Sequence, residues 1–191
     1  MKKSNLGLLV VAFSVLFVGA GCSKEASDTS VSELQDSKSF SYSDSNNTYE
    51  ISGLIAKDWT ENKDADPRVE TMFFSPEKEG DDFRENINIV RFEFADGEKE
   101  MTIDEYADSA LTGSDRSPGY KLLSRTSSTI SGYPAVHVVY QAYSTPGLMQ
   151  FEHTFFKTDK EGYMVTFTGT PDGAVEFEQV YQDFLKSIVA K

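Results

Sequence analysis

One cysteine in 191 residues leaves nothing to pair with, so no intramolecular disulfide can form and the fold must be held by its core. Histidine is almost as scarce. His137 and His153 are the only near-neutral bases, and neither sits in HExxH, CxxC or GxSxG, nor does a standard glycine-rich phosphate loop occur. No internal repeat is visible. Positive charge is also short: 18 Lys and Arg stand against 31 Asp and Glu, a formal charge of −13. Such a chain is repelled by phosphate backbones and anionic headgroups, which excludes nucleic acid and leaves cationic, metal-bearing or neutral partners. The longest apolar run, Leu6 to Gly21, falls short of the roughly 20 residues that crossing a bilayer requires.

The start of the chain is informative in itself. Lys2 and Lys3, the hydrophobic stretch from Leu6 to Val18 and the small residues Gly19, Ala20 and Gly21 make residues 1–21 a secretory signal peptide. With Cys22 next in line, the segment resembles the lipobox of bacterial lipoproteins, although Gly19 stands where an aliphatic residue is usual. The resemblance implies cleavage before Cys22 and acylation of its thiol with a fatty chain such as palmitate. It also implies a domain anchored through Cys22 to the extracytoplasmic face of a cell membrane.

Residues 22–47 are dominated by Ser, Thr, Asp, Glu and Asn, with Val31, Leu34, Phe40 and Tyr42 too scattered to build a core. They read as a flexible tether with a reach of roughly 25 to 30 Å. Its end can be ordered, because Phe40-Ser41-Tyr42-Ser43 alternates as an edge strand does. Residues 48–191 are of a usual size for one domain with a real hydrophobic core.

Within that domain, strands are predicted at Tyr49 to Ser52, Val69 to Ser75 (stopped by Pro76) and Asn86 to Phe94. Thr102-Ile103-Asp104-Glu105 fits a capping box. It opens a short helix carrying Ile103, Tyr106, Ala107, Ala110 and Leu111 on one side. Further strands follow at Tyr120 to Ile130, Tyr133 to Tyr143, Met149 to Thr158 and Tyr163 to Thr170. Asp159-Lys160-Glu161-Gly162 reads as a hairpin turn with its glycine at positive φ. Ala174 to Val189 reads as a closing helix with Val175, Phe177 or Glu178, Tyr181, Phe184, Leu185 and Ile188 inward. The order argues an α+β domain with a mainly antiparallel sheet. Tyr133 to Tyr143 is apolar on both alternations, as in a sheet covered on both sides, so an α-β-α sandwich is expected.

This arrangement resembles the PsbP-like family. The likeness lies in the approach Ile51 to Trp59, the strand running into Phe73-Phe74-Ser75-Pro76, Asn88-Ile89-Val90 and the helix entered through Thr102-Ile103-Asp104-Glu105-Tyr106. It continues in the turn Ile130-Ser131-Gly132-Tyr133-Pro134-Ala135 and the closing Phe184-Leu185-Lys186-Ser187-Ile188. The resemblance implies an α-β-α sandwich around an antiparallel sheet and an accessory or binding role with mostly no enzymatic activity. Photosystem binding does not carry over, because the residues of that interface have no match here.

Candidate chemistry is thin. A hairpin centred on Pro146-Gly147 would set His137 opposite Phe156 or Lys157 and His153 opposite Tyr140 or Gln141. The imidazoles would lie roughly 13 Å apart, too far to share one zinc ion. Carboxylates cluster at Asp64 and Asp66, at Glu77 to Asp82, and at Asp96, Glu98 and Glu100. None follows the calcium-loop pattern, and Gly97 makes the last group a turn, so they read as solvated loops. No cofactor or metal is expected. The 14 Phe, nine Tyr and one Trp supply a core, with Trp59, Tyr120, Tyr133 and Tyr143 as candidates for a cleft or partner surface. The expected protein is thus a non-catalytic, lipid-anchored binding or accessory module in the cell envelope, with an envelope protein as partner. A lipoprotein that binds a small ligand or metal ion is the alternative, and a surface hydrolase the next.

Overall fold

The computed structural model describes residues 36–44, 48–63, 69–95 and 97–191. The signal peptide, Cys22 and the carboxylates Asp64, Asp66 and Asp96 lie outside the described residues.

Two antiparallel sheets organise the domain. The larger has the order β3-β4-β5-β9-β8-β7-β6, formed by Thr60–Asn62, Val69–Phe74, Asn86–Glu93, Glu161–Gly169, Leu148–Lys157, Tyr133–Tyr143 and Lys121–Ile130 respectively. The smaller has the order β1-β2-β10, from Ser37–Ser43, Glu50–Ala56 and Val189–Ala190. Every neighbouring pair is antiparallel.

Period-two alternation gives the large sheet two apolar faces. On one, Phe73, Ile87, Ile89, Phe156, Tyr163, Val165 and Phe167 pack against α2 (Pro171–Glu176), α3 (Glu178–Ser187) and the small sheet. Phe40 of β1 stacks on Phe184 of α3 at 5.3 Å and 18°. On the other face, α1 (Ile103–Ala110) packs over β7 and β8, with Tyr106 edge-on to Phe155 at 6.4 Å. Helical elements thus flank the sheet on both sides, an α+β sandwich of the kind the two-sided apolar pattern predicts.

Helix α1 starts where the capping box places it. Thr102 Oγ1 accepts from Glu105 N–H, and Glu105 accepts from Thr102 N–H, which holds the Glu105 carboxyl below the usual carboxylate range. Between β6 and β7 the two-residue turn Ser131-Gly132 has φ of 52° and 83°, as a type I′ hairpin requires.

Several expectations are corrected. The folded unit begins by Ser37 and not at Thr48: the edge strand expected at Phe40 to Ser43 is present as part of β1, which pairs along the whole of β2 and sinks Phe40 into the core. Gly53, opposite Phe40, has no room for a Cβ beside that ring. The single closing helix is two helices. Thr170 caps α2 through Gly173 N–H, and Phe177 (φ −100°, ψ 10°) separates it from α3, leaving Val175 77% exposed. Gly162 lies inside β9 without positive φ; it is glycine because the Tyr106 hydroxyl occupies the place of a Cβ.

The β7–β8 hairpin closes about Thr145-Pro146, through a loop of Ser144 to Gly147 with Tyr143 paired to Leu148. His137 therefore faces Thr154, and His153 faces Val138. Adjacent rungs point to opposite sides, so the two imidazoles lie on different faces of the sheet.

Candidate functional site

The strand register separates two polar systems. On the helix-packed face, His137 Nδ1 is 2.9 Å from Thr154 Oγ1, and His137 Nε2 is 3.5 Å from Glu152 Oε2. Thr154 Oγ1 is 3.1 Å from the Tyr181 hydroxyl, which lies 3.1 and 3.2 Å from the carbonyls of Glu152 and Val165. Gln150 donates to Glu152, and Gln141 to Gln150. Hydroxyl, imidazole and carboxylate are thus in sequence, but Thr154 is 1% exposed and its hydroxyl is engaged by Tyr181. No reacting atom can reach it. Full burial also raises the Tyr181 phenol far above its ordinary range. The chain of bonds pins α3 to the sheet.

The opposite face is open beside α1. There a trough of about 440 Å³ is lined by residues of β4, β5, β9, β8 and β7. Val90 and Phe92 of β5, Met164 of β9 and Phe151 of β8 are half-buried along it. Tyr140, Phe151 and His153 present stacked rings: Phe151 and His153 at 6.4 Å and 8°, Tyr140 and Phe151 at 5.2 Å and 21°. His153 uses both ring nitrogens, Nε2 at 3.1 Å from the Tyr140 hydroxyl and Nδ1 at 2.9 Å from Thr166 Oγ1. Burial, and secondarily the field of His137, push its pKa down to about 4. It is a neutral ring near pH 7. No Asp, Glu, Lys or Arg is among the lining residues.

The aromatic candidates do not gather in one place. Trp59 is 1% exposed, edge-on to Phe177 at 5.4 Å, and is a core residue removed from any contact surface. Lys38 donates to its carbonyl, closing β1 over it. Tyr120 is half-buried and packs on Tyr140 at 5.2 Å, behind the trough wall. Tyr133 and Tyr143 open and close β7, roughly 33 Å apart along the strand. Tyr143 is 60% exposed and lies against Gly119. Among the loop carboxylates, Glu77 pairs with Arg84, and Glu98 accepts from Ala95 N–H. Among the described residues no three His, Asp or Glu side chains converge as metal ligands do.

The trough itself escaped sequence reasoning. Asn88, Val90 and Phe92 alternate visibly in the strand Asn86 to Phe94, but nothing local says which alternation a helix will cover.

Residues 8–191 match the family described as PsbP-like protein. The chain belongs to the PsbP-like family. No curated protein matches the sequence. Among solved structures this PsbP-like domain is similar to LpqN of Mycobacterium tuberculosis, described as involved in cell envelope biogenesis. The TM-score is 0.61 at 9% identity, over 83% of this chain and 94% of that one. It is similar to cyanobacterial PsbP (CyanoP) of Synechocystis, at TM-score 0.54 and 13% identity over 80% and 92% of the two chains. It is also similar to protein PA94 of Pseudomonas aeruginosa, a protein of unknown function described as a putative regulator. There the TM-score is 0.52 at 19% identity, over 75% and 91%. At such identities the likeness is one of fold.

Proposed function

We propose that this PsbP-like chain is a lipoprotein anchored by an acylated Cys22 on the extracytoplasmic face of the cell membrane. There it acts by contact with an envelope protein and catalyses no reaction. The observation that carries the non-catalytic part is the state of its best hydroxyl–imidazole–carboxylate chain. Thr154, His137 and Glu152 are tied to Tyr181 in the interior, where they hold a helix and meet no substrate. The membership of a family of accessory proteins supports the same reading, as does the structural likeness to LpqN, a protein described as involved in cell envelope biogenesis. The anchor rests on the basic start, apolar stretch and small residues ahead of Cys22.

Cell fractionation tests the anchor. The native chain is expected in the membrane fraction with a fatty-acyl mass increment, and Cys22→Ser in the soluble extracytoplasmic fraction without it. A Cys22→Ser chain that is still acylated overturns the anchor. Crosslinking in intact cells tests the role: one recurring envelope protein is expected, and no recurring partner counts against it.

A further inference from the structure

We propose that the trough on the open face of the large sheet is a binding site for a small, uncharged aromatic molecule bearing one hydrogen-bonding group. The proposal rests on reading the chain as a binding module and names what one of its surfaces takes. A volume of about 440 Å³ lies within the usual range of small-ligand sites. The lining decides the chemistry. Without a Lys, Arg, Asp or Glu against it, an ionised ligand would shed its hydration for no compensating charge. The chain's formal charge of −13 adds long-range repulsion of anions.

Flat surfaces dominate what remains. Tyr140, Phe151 and His153 lie within 28° of one another in their ring planes, and the Met164 thioether faces the same space. A planar ring placed there gains offset stacking and sulfur contact that a saturated ring of equal size does not. Burial keeps the His153 ring uncharged near pH 7, so it serves as one more aromatic face. Its two nitrogens are already satisfied by Tyr140 and Thr166, so it has no free bond to give.

Polar recognition falls to Asn88 and Thr168. They sit on neighbouring strands, diagonal across the β5–β9 register, where Asn86 pairs with Thr168 and Asn88 with Thr166. Both line the trough, and neither side chain has a hydrogen-bond partner among the described residues. An amide and a hydroxyl together offer donors and acceptors to a ligand N–H, hydroxyl or carbonyl.

Methionine methyl resonances of the full chain in lipid nanodiscs report on the site, because Met164 lines it while Met149 is buried outside it. Titration with indole is expected to shift the Met164 signal saturably and leave Met149 in place. Phe151→Ala is expected to weaken indole about three- to tenfold with the side-chain N–H resonance of Trp59, in the core on the opposite face, unchanged, which shows the fold intact. Asn88→Ala with Thr168→Val is expected to weaken indole but not 1-methylindole, which lacks the N–H. The site is overturned if Met164 does not shift, or if cyclohexanol or indole-3-acetate binds as tightly as indole. It is likewise overturned if the captured envelope protein displaces indole, since the occupant is then a partner's side chain. A chain that recruits an envelope protein yet shows no Met164 shift loses the ligand site alone. A chain that binds indole but leaves the membrane keeps the site and loses the anchor.

Discussion

The two faces of the large sheet are made by alternate residues of the same strands, yet they have become different kinds of surface. In β8, Glu152, Thr154 and Phe156 look toward α3, while Phe151, His153 and Phe155 look the other way. Beneath α3 every polar atom of the His137–Thr154–Tyr181 chain is held by another. On the far side α1 covers only part of the sheet and leaves rings facing a trough. Composition does not separate the faces, since both carry a histidine, a tyrosine and threonines. What separates them is how far the covering helices reach: full cover makes a polar network structural, and partial cover leaves a recess.

The sharpest test of this contrast is truncation on each face. Phe184→Ala, on the inner side of the covering helix α3, is expected to cost about 3–5 kcal/mol in urea unfolding. Phe151→Ala, on the half-buried trough, is expected to cost about 1–2 kcal/mol, because less apolar area returns to water. Equal losses would erase the distinction.

Acid probes the trough face through His153. The His153 pKa lies near 4 when folded and at the ordinary 6.5 when unfolded, so the unfolded chain binds the proton first as pH falls. The stability that neutral His153 contributes is complete above pH 6.5 and is lost between 6.5 and 4, at up to about 1.4 kcal/mol per pH unit. His153→Gln should flatten that part of the stability profile between pH 6.5 and 5. An unchanged slope would mean that His153 charges without penalty. Opposite, Tyr181→Phe should cost about 1–3 kcal/mol by stripping Thr154 and the Glu152 and Val165 carbonyls of a shared partner. A neutral result there would make the network ornamental. The smallest effect is at the cover itself: Thr102→Ala, which removes the α1 cap, should cost about 1 kcal/mol by thermal unfolding and leave the helix-packed face unaltered.

Legibility followed the range of the interaction. The capping box at Thr102, the Ser131-Gly132 turn and strand β7 from Tyr133 to Tyr143 were readable because each depends on residues a few positions apart. The β7–β8 hairpin was misplaced, because Pro146-Gly147 looks like a turn centre while the chain closes one residue earlier. That offset also decides which residue meets each histidine. Trp59 illustrates the other failure. Large aromatics serve cores and interfaces alike, and only the arrival of Phe177 from the far end of the chain shows which one this is.

By itself the sequence determined the acidic balance, the alternation within each strand and the family. These are properties of neighbours along the chain. The tertiary structure alone decided that β1 sinks Phe40 into the core, that the histidines part to opposite faces, and that α1 stops short of covering Phe151 and Met164. Period-two alternation says that a strand has two sides, but the partner that covers each side comes from residues distant in sequence. Which side is sealed and which stays open is settled only when all of them pack.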